Sequence, residues 1–139
     1  MSFGRRFGID FGATRIGIAI CDPDGMVATP LITLQNDASF FSEFNKLQNE
    51  YLATGIFLGR PKQLSGNAGT IQKELDIFAI ELTEKTGLPI TWVDERLTSS
   101  GATSALRERG MNSKESKGLV DQLAAAAILD LGIALEKNA

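Results

Sequence analysis

The chain contains no histidine and one cysteine, Cys21. An intramolecular disulfide is therefore excluded. So, within one chain, are a Cys/His zinc site, a Ser-His-Asp triad and a histidine general base. Acid–base or metal chemistry must rest on carboxylates, lysine, the single tyrosine or that thiol. Long apolar stretches are also missing. The longest uninterrupted run, Leu123 to Leu129, is too short to cross a bilayer. The opening Met1-Ser2-Phe3-Gly4-Arg5-Arg6 carries no apolar leader. These absences predict a cytoplasmic protein with no membrane partner. The formal charge is −3 and the isoelectric point is near 5.0, so the chain is not a polycation. Contact with nucleic acid would need a local basic patch.

What is present is ordinary for one globular domain. There are 139 residues, 43% hydrophobic and 22% charged, with no internal repeat or linker. Arg6 to Phe11 and Arg15 to Cys21 read as strands. In the second, Ile16, Ile18 and Ile20 alternate with Gly17 and Ala19 at period two. Gly12-Ala13-Thr14 is the hairpin turn between them. Asp22-Pro23-Asp24-Gly25 is a turn in which Pro fixes φ, Gly accepts positive φ and Asp can bond nearby backbone. Val27 to Leu34 is a third strand, placed near an edge because Pro30 cannot donate to a ladder.

Helical spacing follows. Phe40, Phe41, Phe44, Leu47, Tyr51 and Leu52 recur three and four apart, with Ser39 as the expected cap. Gly55 to Gly59 is a short buried strand and Arg60 to Gly69 a polar loop. Thr70 to Thr86 is a helix stopped by Gly87 and Pro89. Ile90 to Val93 is a fifth strand, Thr98 to Arg109 a short helix and Gly110 to Lys117 a basic loop. Leu119 to Lys137 is a long Ala-rich helix. Three consecutive strands and then alternating units predict an α/β fold. Its mixed five-stranded sheet starts as an antiparallel meander and has helices on both faces.

Three acidic positions stand out. Asp10 lies in the apolar first strand; it either caps the following turn or serves a site. Asp94 and Glu95 end the fifth strand; if both stay extended they point to opposite faces, and only one can then share a site with Asp10. Asp121 starts the last helix, where an acid also complements the helix dipole. Ala124 to Ala127 beyond it are small enough to let that helix approach the sheet closely. With the first and fourth strands adjacent, the strand ends open on one edge, where α/β folds bind ligands. Carboxylates gathered there without His or Cys suit Mg²⁺ or Mn²⁺. Two such ions can promote phosphodiester cleavage.

Bases accompany the acids. Arg15, Arg60, Lys62 and Arg96 lie in or beside turns at that edge. Arg107, Arg109, Lys114 and Lys117 surround the loop before the last helix, against Glu108 and Glu115. Such a patch neutralises a few phosphates, and it equally suits a solvated helix end. Cys21 and Trp92 are expected in the core.

Gly8-Ile9-Asp10-Phe11-Gly12-Ala13-Thr14-Arg15-Ile16-Gly17, Gly59-Arg60-Pro61, Asp94-Glu95-Arg96-Leu97-Thr98, and Asp121 with Ala124-Ala125 and Ile128-Leu129 resemble the signatures of the YqgF/RuvX family. These are bacterial pre-16S ribosomal RNA nucleases, also described as Holliday-junction resolvase-like. The resemblance implies an RNase H-like fold over 1–139 and a metal-dependent phosphodiesterase acting on the 5′ end of precursor 16S ribosomal RNA. It makes Asp10, Glu95 and Asp121 the catalytic and metal-holding acids, with Glu95 rather than Asp94 facing the metal. Two departures concern substrate handling. Thr14 stands where the family usually has Lys or Arg. Leu64-Ser65-Gly66 replaces a Met-Asp-Gly, removing a loop carboxylate.

The expected partner is structured RNA, either precursor 16S rRNA or an immature small ribosomal subunit, bound by a monomer or homodimer. Branched DNA is the alternative substrate. A non-catalytic RNA-binding factor in ribosome maturation or transcription is a reading of another class. An Asp-x-Gly-x-Thr opening also occurs in sugar-kinase and chaperone-type ATPases. Those need two such domains, which 139 residues do not supply.

Overall fold

The computed structural model describes residues 4–60, 68–95 and 114–138. Its strands are β1 (Arg6–Phe11), β2 (Arg15–Cys21), β3 (Ala28–Gln35), β4 (Gly55–Arg60) and β5 (Ile90–Asp94). Three described helices are α1 (Phe40–Tyr51), α2 (Ala68–Thr86) and α3 (Lys114–Lys137). The sheet order is β3-β2-β1-β4-β5. β1 pairs antiparallel with β2, and β2 with β3, giving the meander. β1 pairs parallel with β4, and β4 with β5. β3 is an edge strand, and its register shifts where Pro30 stands opposite Ala19. A proline without an N–H is tolerated in both settings.

The pleat divides the side chains. Phe7, Ile9, Ile16, Ile18, Ile56 and Leu58 point to one face, where α1 and α2 add Phe40, Phe44, Leu75, Phe78 and Leu82 to one buried cluster. Its rings interlock, with Phe7 and Phe44 centroids 4.8 Å apart and Phe40 and Phe78 5.2 Å apart. The other face carries Ala19, Cys21, Phe57 and Val93 beneath Ala125, Ile128, Leu129 and Ile133 of α3. Residues Gly118–Lys137 have the length and hydropathy of a membrane span. In this fold they lie along the sheet, and one apolar stripe of the helix is core.

Small residues let α3 lie that close. A Cβ on Gly8 would stand 2.5 Å from the Ala125 carbonyl oxygen. One on Gly17 would collide with the Asp121 carbonyl oxygen, and one on Gly132 would stand 2.5 Å from the Phe57 ring. The helix therefore crosses the sheet obliquely. Gly118 lies by Thr33 of β3, Asp121 by Gly17 of β2, and Ile128 by Gly59 of β4. At its far end Glu136 takes two hydrogen bonds from Arg6, at 2.8 and 2.9 Å.

Several boundaries differ from expectation. α3 begins at Lys114, so Lys114 to Lys117 are helical rather than part of a loop. Lys and Glu are good helix formers and Ser is tolerated in a helix. α2 begins at Ala68, so Ala68 and Gly69 leave the expected loop. β3 is shifted one residue, to Ala28–Gln35, while β4 and β5 each run one residue further than read. Ser39 occupies the N-cap of α1 without a capping side-chain bond; its hydroxyl donates to Asp37 instead. The Asp22–Gly25 turn forms as read, with Gly25 at φ +66°. The Asp22 carboxylate accepts the Met26 and Val27 N–H groups, each at 2.7 Å. The expected helix Thr98–Arg109 lies outside the described residues.

Candidate active site

Strand alternation decides which acids can meet. Gly8 faces α3, so Asp10, two residues on, faces α3 as well. Its register partner in β2 is Gly17, the residue over which Asp121 sits. On β5, Val93 is buried beneath α3, and Glu95 follows the last strand residue, Asp94. A Cβ on Gly59 would lie 2.8 Å from the Glu95 Oε1, so this carboxylate reaches back over β4 on the α3 face. Asp94 has the parity of Ile90 and Trp92, which pack towards α1 and α2. Asp10, Glu95 and Asp121 thus share one face of the sheet at the edge where β1, β4 and β5 end, and Asp94 does not.

The sheet ties down the N-terminal half of α3. Thr33 donates its hydroxyl to the Gly118 carbonyl at 2.7 Å and accepts from Gln122 Nε2 at 3.2 Å. Neither Thr33 nor Gln122 is conspicuous in the sequence; their meeting depends on the angle at which the helix crosses. Arg15, at the start of β2, donates from Nε to Asp121 Oδ2 at 2.7 Å. Its guanidinium, expected on a phosphate, is paired with one of the acids.

Three carboxylates without softer donors make a chemically suitable set for a hard divalent cation. Among the described residues, however, no three Asp, Glu or Cys side chains are placed to grip one ion together. The donor types and the shared face fit such an ion; Asp121 is meanwhile held by Arg15.

The expected phosphate contacts separate. Arg60 ends β4 on the face opposite the acids, with Cζ 4.3 Å from the Trp92 ring centroid. Trp92, expected in the core, is half-buried beneath that guanidinium and lines an open cavity of about 710 Å³ with Asp76, Ile80 and Glu84. Sequence spacing places Arg60 at the correct edge but not on a face; its parity with Leu58 does. Lys62, Arg96, Arg107 and Arg109 lie outside the described residues, and for Lys114 and Lys117 only the helical backbone is described. Cys21 is buried on the α3 face, and burial pushes its thiol pKa up. A thiol so placed is poorly suited to be a nucleophile.

Residues 4–134 match the RuvX family, described as Holliday junction resolvase. The chain belongs to the RuvX family. A relative from Mycobacteroides abscessus is 41% identical over 130 residues, covering 91% of this chain and 78% of its own. Another from Streptomyces avermitilis is 36% identical, covering 99% and 90%. Both carry the provisional name pre-16S rRNA nuclease. Among solved structures, Thermus thermophilus RuvC in complex with a Holliday junction substrate superposes with a TM-score of 0.62 at 17% identity, covering 97% of this chain and 96% of that one. A second structure of RuvC from the same organism gives 0.55. The RuvX chain therefore has the RNase H-like fold of RuvC, and its family makes it a hydrolase of phosphodiester bonds.

Proposed function

We propose that this RuvX protein is a divalent-metal-dependent nuclease that cleaves RNA in 5′-end maturation of precursor 16S ribosomal RNA. The observation that carries the proposal is the common placement of Asp10, Glu95 and Asp121. They come from β1, the end of β5 and α3, and all lie on the α3 face at one sheet edge. Asp10, Glu95 and Asp121 would hold Mg²⁺ or Mn²⁺. The bound ion would supply an activated water and charge stabilisation at the leaving oxygen. The chain's own part is to hold the acids rigidly. Asp10 sits within a paired strand, Asp121 is pinned by the close seat of α3 on Gly17, and Glu95 lies against Gly59. Arg15 stands beside Asp121, where a guanidinium can take a phosphate in a forked contact. Arg96, Lys114 and Lys117 would extend the phosphate track. The buried, free Cys21 suits the reducing cytoplasm.

A second substrate, branched DNA, is favoured by the family description and by the superposition on RuvC. Precursor 16S RNA and a four-way DNA junction, assayed side by side with Mg²⁺, distinguish the two. Asp10→Asn should reduce cleavage of the true substrate by at least about a hundredfold, a loss in the range of about 3 kcal/mol of transition-state stabilisation, while the melting temperature moves little. Cleavage at the wild-type rate in Asp10→Asn rejects the assignment. RNA binding without cleavage, unchanged by Mg²⁺ or by Glu95→Gln, would instead make the protein a binding factor.

A further inference from the structure

The pairing of Arg15 with Asp121 conflicts with the roles given to each. An ion-holding carboxylate and a phosphate-holding guanidinium are bonded to one another at 2.7 Å, with their side chains 31% and 17% exposed. Resting on the function proposed above, we infer that Arg15 is a stand-in cation. It occupies Asp121 when no divalent ion is present and releases it when one binds, becoming available to a substrate phosphate.

Three features support the exchange. The α3 face carries Asp10, Glu95 and Asp121 at one edge, and a positive charge beside any one of them favours its ionised form. Arg15 is the charge observed at Asp121. Both partners are also fixed around one glycine. Arg15 is two residues from Gly17 in β2, and the Asp121 backbone is seated on Gly17. Side-chain rotation can then exchange partners without moving the helix. Finally, arginine does not release a carboxylate by losing its proton. It must be traded for another anion, and a phosphate offers the same forked geometry as a carboxylate. Because linkage is reciprocal, ion and nucleic acid should each tighten the binding of the other.

The test is Mn²⁺ affinity of the full chain without nucleic acid, read by electron paramagnetic resonance of the free ion. The proteins compared are wild type, Arg15→Gln, Arg15→Lys, Asp121→Asn and the Arg15→Gln/Asp121→Asn double variant. Removing the competing guanidinium should tighten Mn²⁺ about tenfold in Arg15→Gln, within the usual span of coupling between sites. Arg15→Lys, which keeps the charge, should stay close to wild type. Asp121→Asn should weaken binding, and Arg15→Gln should then add nothing. The proposal is overturned if Arg15→Gln fails to tighten Mn²⁺, or if it tightens equally in the Asp121→Asn background. It is also overturned if lysine proves as permissive as glutamine. Mn²⁺ affinity indifferent to Asp121→Asn removes Asp121 from the ion site itself, so it overturns the function proposed above together with this one.

Discussion

The two faces of the sheet are built on opposite rules. Towards α1 and α2, β1 and β2 present Phe7, Ile9, Ile16, Ile18 and Ile20, and large rings fill the space. Towards α3 the same strands present Gly8, Asp10, Gly17, Ala19 and Cys21, and the helix backbone comes down almost onto the strands. The first face derives its stability from bulky apolar side chains removed from water. The second gives up that volume. In return it seats a helix closely enough for its Asp121 to stand over β2, beside the strand acid Asp10. One alternating strand supplies both faces, which is why a single residue of slip would exchange core for site.

Substitutions on the two faces should therefore fail differently. Phe44→Ala, at a fully buried ring in contact with Phe7 and Phe40, should cost about 3–5 kcal/mol of unfolding free energy. The molecules still folded should keep their cleavage rate, because the cavity opens on the side away from the acids. Gly17→Ala adds a single carbon on the other face. It should cost about 1–3 kcal/mol, since helix backbone rather than a flexible side chain must shift. Unlike Phe44→Ala it should also lower the cleavage rate, because the atoms displaced belong to Asp121. Urea unfolding together with single-turnover cleavage separates these outcomes. Equal loss of rate per folded molecule in both variants would erase the distinction between the faces.

A smaller effect belongs to neither face. Asp22 closes the turn at the end of the sheet remote from the acids, and the Val27 and Met26 N–H groups hold its pKa below the ordinary 3.8. A carboxyl depressed in the folded state contributes stability above its unfolded pKa and loses it as pH falls through the folded value. Asp22→Asn should therefore be less stable than wild type at pH 7, and the gap should close below about pH 4. Thermal melts across pH check this, and cleavage at neutral pH should not change. A gap that widened in acid would reverse the sign and contradict the hydrogen-bond assignment.

Much of this arrangement is legible before folding. The isoleucine alternation from Ile16 to Ile20 defines β2, and Pro30 marks β3 as an edge. Pleat parity parts Asp94 from Glu95 only while both stay extended, and the strand ends at Asp94; family resemblance, not spacing, favours Glu95. The angle of α3 is not legible. Gly17 reads as one small residue in an alternating strand until the helix carbonyl above it is known. The early start of α3 escapes notice because Lys114 to Lys117 are polar and Gly118 interrupts the helical pattern. Arg15 has the look of a phosphate ligand, and only the folded chain reveals that its nearest anion is its own Asp121. Parity places Arg60 beside Trp92, yet neither periodicity nor composition signals a guanidinium over that ring.

The most direct check of the central claim is a crystal of the protein soaked in Mn²⁺ and measured at the manganese absorption edge. An anomalous peak is expected on the α3 face, ligated by Asp10, Glu95 and Asp121, with Arg15 turned away from Asp121. Manganese bound only elsewhere, with the Arg15–Asp121 pair intact, would contradict it.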